Sequence, residues 1–295
     1  MRIGIDLGGS KIEGIALDGE GNELIRHRVP TPQGEYIGTL KAIVDLVKQI
    51  EEVTGLTGSV GIGTPGALSP ETQLLRNSNS VCMNGKPVKD DLQNMLGREI
   101  RMSNDANCFA LSEATDGAAK GDSVVFGVII GTGTGAGIVV NGKVLTGPNS
   151  IAGEWGHNPL PWVNDNERPG PECYCGKHGC IETFLSGPGM SADYFLATGI
   201  KKAPIEILKL SESGDESAEN CILRYEDRLA RGLSHIINVL DPDTIVLGGG
   251  MSNISRLYKN VPELWGDYVF SDSVNTRLVP PEYGDSSGVR GAAWL

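Results

Sequence analysis

The sequence is poor in cysteine and in positive charge, and it has no long hydrophobic run. Six cysteines among 295 residues are too few for the disulfide framework of a secreted protein. No stretch approaches the roughly 18 apolar residues that a membrane helix needs. A strand-like segment follows Met1 directly, where a signal peptide would carry a charged and then an apolar region. These absences predict a cytoplasmic protein with no membrane partner.

The deficit of positive charge limits the possible partners. Lysine and arginine number 25 against 37 aspartates and glutamates, which gives a formal net charge of -12. Such a chain as a whole repels nucleic acid. A small anion such as ATP can still be held by local backbone dipoles and a metal ion. We therefore expect small-molecule ligands and no nucleic acid partner.

Hydrophobic periodicity predicts an α/β protein. Strand-type alternation at 2–7, 12–17 and 23–28 forms a meander, and a similar strand-turn-strand layout returns at 124–145. Further strands are expected at 60–64, 100–103 and 244–247, and helices at 37–50, 106–119, 222–237 and 251–258. Because strands and helices alternate along the chain, the class is α/β.

The length allows two domains of roughly 150 residues each. We place their boundary between residues 118 and 119, giving domains at 1–118 and 119–295, with the last helix a candidate to pack back on the first domain. The segment 147–189 is rich in Gly, Pro, Asn and Trp. A stretch of that length without regular structure needs an organising ligand to hold it in place.

A glycine turn between the first two strands has the chemistry of a phosphate site. Asp6 ends a strand, Gly8 and Gly9 have no Cβ to block a phosphate, and the Ser10 hydroxyl and Lys11 ammonium can face its oxygens. The alternative is a plain Gly-Gly turn, since short glycine patterns recur often.

A second glycine loop at Gly131–Gly137 resembles a dinucleotide loop, but a strand and hairpin turn follow it instead of the helix that a Rossmann fingerprint requires. No Walker A run is present. A third glycine turn precedes the segment at 251–258. Together the three turns predict a nucleotide site whose candidate residues are Asp6, Gly8, Gly9, Ser10, Lys11, Gly131, Thr132, Gly133, Thr134, Gly135, Gly248, Gly249 and Gly250.

Three cysteines crowd together at Cys173, Cys175 and Cys180, with His157 and His178 as candidate fourth ligands. Three sulfurs and one nitrogen match tetrahedral zinc that has no position left for a reactive water. Such a zinc would be structural and could order the irregular segment. The alternative is reduced cysteines without a metal. The other three cysteines, Cys82, Cys108 and Cys221, are expected to be small buried hydrophobic residues.

Asp105 follows a predicted strand and precedes a predicted helix. Its carboxylate would lie at the C-terminal edge of a strand, where ligands of α/β proteins collect. It suits the general base of a phosphoryl transfer, which accepts the proton of the attacking hydroxyl. An ordinary helix N-cap explains an aspartate at this position equally well.

Five segments in their order resemble the ROK family of bacterial sugar kinases and repressors. They are Asp6–Lys11, Asn104-Asp105, Gly131–Gly137, Gly153–His157 and Cys173–Glu182. The resemblance implies an actin-like, hexokinase-like ATPase fold of two lobes with sugar and ATP in the cleft between them. It also implies Mg2+ with the ATP, and commonly a homodimer.

The resemblance also implies roles for individual residues. It favours Asp105 as base and His157 over His178 as the zinc ligand. The alternative for Glu154 and Glu182 is the ordinary solvated state of loop glutamates. The residues that the family places around the sugar correspond to Gly66, Asn79, Asn104, Asp105, Glu154, His157 and Glu182.

The runs around Gly153–His157 and Cys173–Glu182 look most similar to the fructokinase and mannokinase branch. We therefore expect a kinase that transfers the γ-phosphate of ATP to the 6-hydroxyl of fructose or mannose. The alternative within the family is an N-acetylglucosamine or glucose kinase. A sugar-responsive repressor is disfavoured because a phosphate strand begins at residue 2 and the net charge is negative. A catalytically dead sensor is disfavoured because the glycine turns and Asp105 are present.

Overall fold

The computed structural model describes residues 1–284 and 287–295, in which strands and helices alternate along most of the chain. The strands are β1 (Arg2–Leu7), β2 (Lys11–Leu17), β3 (Glu23–Pro30), β4 (Ser59–Thr64), β5 (Ala67–Leu68), β6 (Leu75–Arg76), β7 (Ile100–Asn104), β8 (Val124–Ile130), β9 (Thr134–Val140), β10 (Lys143–Val144), β11 (Thr244–Gly248) and β12 (Arg277–Val279). The helices are α1 (Tyr36–Thr54), α2 (Val88–Leu96), α3 (Asp105–Thr115), α4 (Ile181–Leu185), α5 (Gly187–Thr198), α6 (Pro204–Glu212), α7 (Glu216–Leu240), α8 (Leu257–Trp265) and α9 (Ser287–Trp294).

The chain divides into two compact units. Unit 1 comprises Met1–Gly121, Gly137–Ala152 and Glu282–Leu295, and unit 2 comprises Asp122–Ala136 and Gly153–Pro281. Among the described residues, every helix is too short or too polar to span a bilayer.

Unit 1 is built on a five-stranded sheet in the order β3-β2-β1-β4-β7. The strands β1 and β2 are antiparallel, whereas β1, β4 and β7 are parallel. Alternate residues of β1, including Ile3 and Ile5, pack with buried residues of α1 such as Ile43 and Val47. The parallel strands bring the C-terminal ends of β1, β4 and β7 to one edge of the sheet, and that edge carries Asp6 and Asn104.

The C-terminal helix α9 packs on this sheet and on α3. Glycines allow the close approach, because a Cβ at Gly4 or Gly61 would collide with backbone atoms of α9, and a Cβ at Gly291 with those of Cys108 in α3. The fully buried Glu113 of α3 then accepts a hydrogen bond of 2.6 Å from the Ser287 hydroxyl at the start of α9. These contacts place the last residues of the chain in unit 1.

A second five-stranded sheet has the order β10-β9-β8-β11-β12. In unit 2, β8, β11 and β12 run parallel, with Gly248 of β11 opposite Ile129 of β8. The 25-residue helix α7 buries one continuous face, which includes Ile222, Leu229 and Leu233. The segment 251–258, predicted as one helix, is instead a 3-10 turn at Gly250–Asn253 followed by α8.

The segment 147–189 is more regular than its composition suggested, because α4 and α5 begin inside it. A 3-10 turn at Asp165–Glu167 ties it to α7. The carboxylate of Glu167 accepts hydrogen bonds of 2.8 Å from Arg228 and 2.8 to 2.9 Å from Arg231, and all three side chains are buried. Burial alone would raise the pKa of Glu167, but these hydrogen bonds outweigh it and lower the pKa to about 2.

Replacing Glu167 by glutamine should lower the free energy of unfolding by about 1.5 to 3 kcal/mol, because Arg228 and Arg231 lose charge-assisted hydrogen bonds and keep only Asp193 and Asp227 as acidic partners. Since the folded pKa lies below the ordinary value of 4.5, the stabilisation is present above pH 4.5 and is lost as the pH falls toward 2. Urea unfolding at pH 7 measures the effect. The exposed pair Lys202 and Glu206 provides the control, and Glu206→Gln should change stability little. Equal effects of the two substitutions would contradict this account.

All six cysteines are free thiols. Cys108 and Cys221 are buried, as predicted. The prediction for Cys82 is wrong, because Cys82 is only partly buried at the edge of the unit 1 core. It lies in the short 3-10 turn Val81–Met83, where only Met83 faces inward.

Candidate active site

The turn between β1 and β2 presents backbone N–H groups on one side. Thr31 donates its hydroxyl to the Gly8 carbonyl at 2.8 Å and its N–H to the Ser10 carbonyl at 3.1 Å, and the Gln33 amide donates to the Gly9 carbonyl at 3.3 Å. Because N–H and C=O point in opposite directions across a trans peptide, the N–H groups of Gly9 and Ser10 are directed away from Thr31 and Gln33. This arrangement suits an anion such as a phosphate.

Asp6 lies at the start of the same turn, where its surroundings disfavour the ionised form of its carboxyl group. Burial, followed by the negative charges of Asp105 and Glu13, raises the pKa of the Asp6 carboxyl to about 6, against the opposing charge of Lys11. The two carboxylates Asp6 and Asp105 of unit 1 are thus electrostatically coupled. A cation or a proton at this point would relieve their repulsion.

Replacing Asp6 by asparagine should stabilise the protein at pH 7 by up to about 3 kcal/mol, because it removes a carboxylate that is penalised when charged. The folded pKa of about 6 exceeds the ordinary value of 3.8, so the penalty is absent below pH 3.8 and is complete above pH 6. The difference between variant and wild type should therefore shrink to below about 1 kcal/mol near pH 4. Urea unfolding across this range measures it, with Glu20→Gln in an exposed turn as control. A difference that does not depend on pH would contradict the assignment.

The structure of the β7–α3 junction shows which residue caps α3. The sequence allowed Asp105 to be either the helix N-cap or a general base. The N-cap of α3 is Asn104, whose side chain accepts a hydrogen bond of 2.7 Å from the N–H of Asn107. Asp105 is the first helical residue, and one of its carboxylate oxygens accepts from the N–H of Ala106 at 2.8 Å. The helix cap is therefore supplied by Asn104, and the Asp105 side chain is exposed at the end of the sheet.

Gly66 and Asn79 are brought to one region of unit 1. Gly66 has φ of +82°, and a Cβ there would lie 2.8 Å from the Ser78 nitrogen, so the two predicted segments pack closely. Asn79 is exposed and lines a cavity of about 250 Å³ together with Gly9 and Thr31. The cavity thus joins the first glycine turn to the Asn79 segment.

The second glycine loop, in unit 2, is held by two long-range hydrogen bonds. The Gly131 carbonyl accepts from the N–H of Gly187 at the start of α5 at 2.8 Å, and the N–H of Thr134 donates to the Glu182 carboxylate at 2.8 Å. A Cβ at Gly133 would lie 2.7 Å from that carboxylate, so a larger residue there would require the Glu182 side chain to shift.

The third glycine turn packs against the strand that leads into the second loop. A Cβ at Gly249, which has φ of +79°, would lie 2.5 Å from the Ile130 carbonyl oxygen. Within the described residues, the buried hydroxyl of Thr134 has no hydrogen-bond partner. Close-packed glycines and a hydroxyl without a partner suit a phosphorylated ligand in unit 2.

Four metal-binding side chains converge in unit 2. The ligand atoms of His157, Cys173, Cys175 and Cys180 all lie within 4.8 Å of one another. The Cys175 and Cys180 sulfurs are 3.6 Å apart, and Nδ1 of His157 is 3.6 Å from the Cys173 sulfur. Tetrahedral zinc, with Zn–S near 2.3 Å and Zn–N near 2.0 Å, needs separations of about 3.8 and 3.5 Å for such pairs. The donor set therefore fits zinc.

Local backbone structure assembles this cluster. The Cys173 N–H donates to the Lys177 carbonyl at 2.8 Å and closes a tight turn. Trp155, in the 3-10 turn that ends at His157, is buried and donates its indole N–H to the Gly232 carbonyl of α7 at 3.3 Å. A Cβ at Gly232 would lie 2.9 Å from the Trp155 ring, so the glycine makes room for this anchor.

The candidate sugar carboxylates of unit 2 flank the cluster. Glu154 is exposed and precedes the 3-10 turn, and Glu182 is partly buried in the first turn of α4 next to Cys180. Two contacts of these residues were not predicted from the sequence: Glu182 also accepts from the Thr134 N–H, and the Tyr174 hydroxyl lies 2.9 Å from Nε2 of His157. No local sequence pattern indicates either contact, since 48 residues separate Thr134 from Glu182 and 17 separate His157 from Tyr174.

Comparison with known proteins gives a family. A model of the ROK family matches residues 2–295. The chain belongs to the ROK family. It is 39% identical over 299 residues to the N-acetyl-D-glucosamine kinase of Pectobacterium atrosepticum, covering 100% of this chain and 98% of that protein. It is 38% identical over 299 residues to the N-acetyl-D-glucosamine kinase of Vibrio cholerae, covering 100% and 99%.

Solved ROK structures share the fold. The ROK hexokinase of Thermus thermophilus superposes with a TM-score of 0.89 at 30% identity, covering 99% of this chain and 96% of that one. The ROK glucokinase of Streptomyces griseus, in complex with glucose and AMPPNP, gives a TM-score of 0.75 at 26% identity, covering 99% and 97%. The predicted α/β, hexokinase-like and actin-like fold is confirmed.

The expected specificity for fructose or mannose is wrong. The curated relatives at 38% to 39% identity over the whole chain are N-acetyl-D-glucosamine kinases. The misleading motifs surround the Cys3His cluster and Trp155. The motifs supply candidate sugar contacts, but hexose choice depends on the detailed geometry of a few contacts, which residue types alone do not specify.

Proposed function

We propose that this chain is an ATP-dependent N-acetyl-D-glucosamine kinase. The observation that carries the proposal is the identity of 38% to 39% with N-acetyl-D-glucosamine kinases over the full length of the chain. The first glycine turn with its outward N–H groups and the exposed carboxylate at the end of β7 supply chemistry that phosphoryl transfer needs. The acceptor is the 6-hydroxyl, the primary alcohol of the sugar.

In unit 1 we assign Asp105 as the general base that takes the proton of the attacking hydroxyl. Asn104, Gly66 and Asn79 contribute hydrogen bonds to the sugar. The proposed phosphate contacts of unit 1 are Asp6, Gly8, Gly9, Ser10 and Lys11.

In unit 2 the proposed nucleotide contacts are the loop Gly131–Gly135 and the turn Gly248–Gly250. Glu154, His157 and Glu182 are proposed to bind sugar hydroxyls, since carboxylates accept hydrogen bonds from neighbouring hydroxyls. Zinc, held by His157 and the three cysteines, would supply structural rigidity only, because four protein ligands leave no open position.

Mg2+ is proposed to accompany ATP and to neutralise its phosphate charge. We also propose a homodimer, which light scattering of the purified protein would test. A net charge of -12 disfavours nucleic acid as a partner.

The test of the proposed function is a coupled ADP-release assay with N-acetylglucosamine, glucose, mannose and fructose at matched concentrations. N-acetylglucosamine should give the highest kcat/KM, and mass spectrometry should show the added phosphoryl group. Omitting Mg2+ or ATP provides the controls. A higher kcat/KM with any other of these sugars would refute the proposed specificity.

Replacing Glu182 by glutamine should raise KM for the sugar about 10-fold and leave KM for ATP nearly unchanged, because a charge-assisted hydrogen bond to a sugar hydroxyl is lost. The amide oxygen can still accept the Thr134 N–H, so the nucleotide loop stays anchored. Glu182→Ala removes both contacts and should raise both KM values. Steady-state kinetics with each substrate varied measures the split. If KM for ATP alone rises in the Glu182→Gln variant, Glu182 does not contact the sugar.

A further inference from the structure

Three charged side chains form a row across the first three strands of unit 1. Asp6 of β1 is the register partner of Glu13 of β2, and Glu13 is in turn the register partner of Arg28 of β3. Register partners on antiparallel strands point to the same face of the sheet, with Cβ atoms about 4.5 to 5.5 Å apart. The row therefore places a second carboxylate directly beside Asp6, next to the first glycine turn.

Glu13 is both acidic and buried. It is only 3% exposed, and a carboxylate in such a place needs charged partners. These come from β3, where Nη1 of Arg26 donates to one carboxylate oxygen at 2.9 Å and Nε of Arg28 donates to the other at 2.7 Å. Both oxygens of Glu13 are thus engaged by guanidinium groups on the side of the sheet away from Asp6.

This pairing controls the charge around Asp6. Arg28 stands in the same row as Asp6, and its long side chain could reach along the row if Glu13 did not hold it. A guanidinium beside Asp6 would neutralise that carboxylate. Burial, then Asp105 and then Glu13 raise the pKa of the Asp6 carboxyl, so the charge of Glu13 acts on Asp6 even though Glu13 is paired.

Asp6 itself has a role that depends on its charge. It is one of the proposed phosphate contacts, and a carboxylate and a phosphate repel each other unless a cation lies between them. Mg2+ in nucleotide sites is commonly bound by one or two carboxylates together with phosphate oxygens. An Asp6 carboxylate that is free of arginine therefore suits the cation that accompanies the nucleotide.

We propose that Glu13 is a positioning residue for the nucleotide-bound Mg2+. Its carboxylate holds Arg26 and Arg28 on β3 and adds negative charge beside Asp6, so that Asp6 stays available to the cation. Glu13 acts through Asp6 and does not touch the nucleotide. The inference rests on the proposed kinase function and adds to it a residue that lies outside the glycine turns.

Glu13→Gln tests the proposal, since it removes the charge and nearly keeps the shape. Calorimetry measures ADP binding with Mg2+ and with EDTA, in the absence of sugar. Mg2+ should tighten ADP binding by the wild type, and this enhancement should shrink about 10-fold in the variant. The affinity for ADP in EDTA should not fall, because the arginines then attract the phosphates. KM for the sugar should change less than about 2-fold.

Arg28→Gln should have the opposite effect. The Arg28 side chain is 50% exposed, so the fold should tolerate the substitution. Because the variant removes a positive charge next to Glu13, the enhancement of ADP binding by Mg2+ should grow about 2-fold. A folding defect does not produce such a gain. If Glu13→Gln does not fold, Arg28→Gln decides the question alone.

Glu23→Gln is the matched control. Glu23 is the other acidic partner of Arg26, with a contact of 2.5 Å. It pairs in register with Leu17, which is opposite Arg2, four positions before Asp6 on β1 and so roughly 13 Å away along the strand. Removing this charge should leave the enhancement by Mg2+ within about 2-fold of the wild type.

Three results would overturn the inference. The first is a folded Glu13→Gln variant with the wild-type enhancement by Mg2+, and the second is an equal loss of ADP affinity with Mg2+ and with EDTA, which indicates a structural role only. The third is an Arg28→Gln variant in which the enhancement falls or stays the same. The proposed function fails separately if the wild type binds ADP with Mg2+ but phosphorylates no hexose. A wild type whose ADP affinity does not depend on Mg2+ overturns the role of Glu13 whatever sugar it phosphorylates.

Discussion

Replacing Asp105 by asparagine should lower kcat by roughly 10² to 10⁴, the contribution typical of a positioned general base. Asparagine has nearly the same size and still accepts hydrogen bonds, but it cannot take a proton from the attacking hydroxyl at neutral pH. ATP binding should survive, and sugar binding should fall modestly. Steady-state kinetics together with calorimetry for each substrate separates turnover from binding.

The fold should tolerate this substitution, because Asn104 and not Asp105 caps α3. We expect a change in the free energy of unfolding within roughly 1 kcal/mol. The control is Asp215→Asn at the start of α7, where the aspartate side chain accepts from the Ala218 N–H as an ordinary cap. That variant should keep full activity. If Asp105→Asn is stable, binds both substrates and turns over like the wild type, Asp105 is not the base, and Glu154 becomes the next candidate.

Replacing Cys175 by serine should remove most of the bound zinc and lower the thermal midpoint strongly. A structural zinc contributes roughly 10 to 16 kcal/mol of binding free energy, and that energy stabilises the fold that forms the site. Elemental analysis of protein purified without added metal should give one zinc per wild-type chain and much less in the variant. A thermal scan with and without a chelator measures the coupling to stability.

Sugar affinity should fall in the same variant, because Glu154 and Glu182 flank the cluster in sequence and take their positions from it. Cys221→Ser in α7 is the control, since Cys221 lies outside the cluster and its thiol donates to the Met190 carbonyl at 3.7 Å, a contact that a serine hydroxyl can keep. It should change neither zinc content nor KM for the sugar. A wild-type protein that is folded and active without zinc would show that the cluster is not a metal site.

Much of the fold was predictable because its signals are local. The alternation of apolar residues predicted β1 with its observed bounds and the strand-turn-strand layout at 124–145 that contains β8 and β9, and the glycine turns after β1 and β8 stand where the sequence predicted turns. The junction at Asn104 and Asp105 was predicted from a strand followed by a helical pattern. Each of these signals extends over a few residues, so it can be recognised without knowing how the rest of the chain folds.

The irregular composition of 147–189 hid α4 and α5, and the segment packs on α7, which lies outside it. The Glu167 carboxylate meets Arg228 and Arg231 of α7 across more than 60 residues of chain. Long-range ion pairs of this kind leave no periodic trace in the sequence.

By itself the sequence determined the class of the fold, the family, the glycine turns, and the spacing of three cysteines that suits zinc. These depend on residue type and local order. Only the tertiary structure decided that Asn104 caps α3, that Glu182 holds the Thr134 N–H, and that Tyr174 meets His157. Each pairing requires two side chains or backbone groups to reach hydrogen-bonding distance in three dimensions, and packing of the whole unit sets that distance.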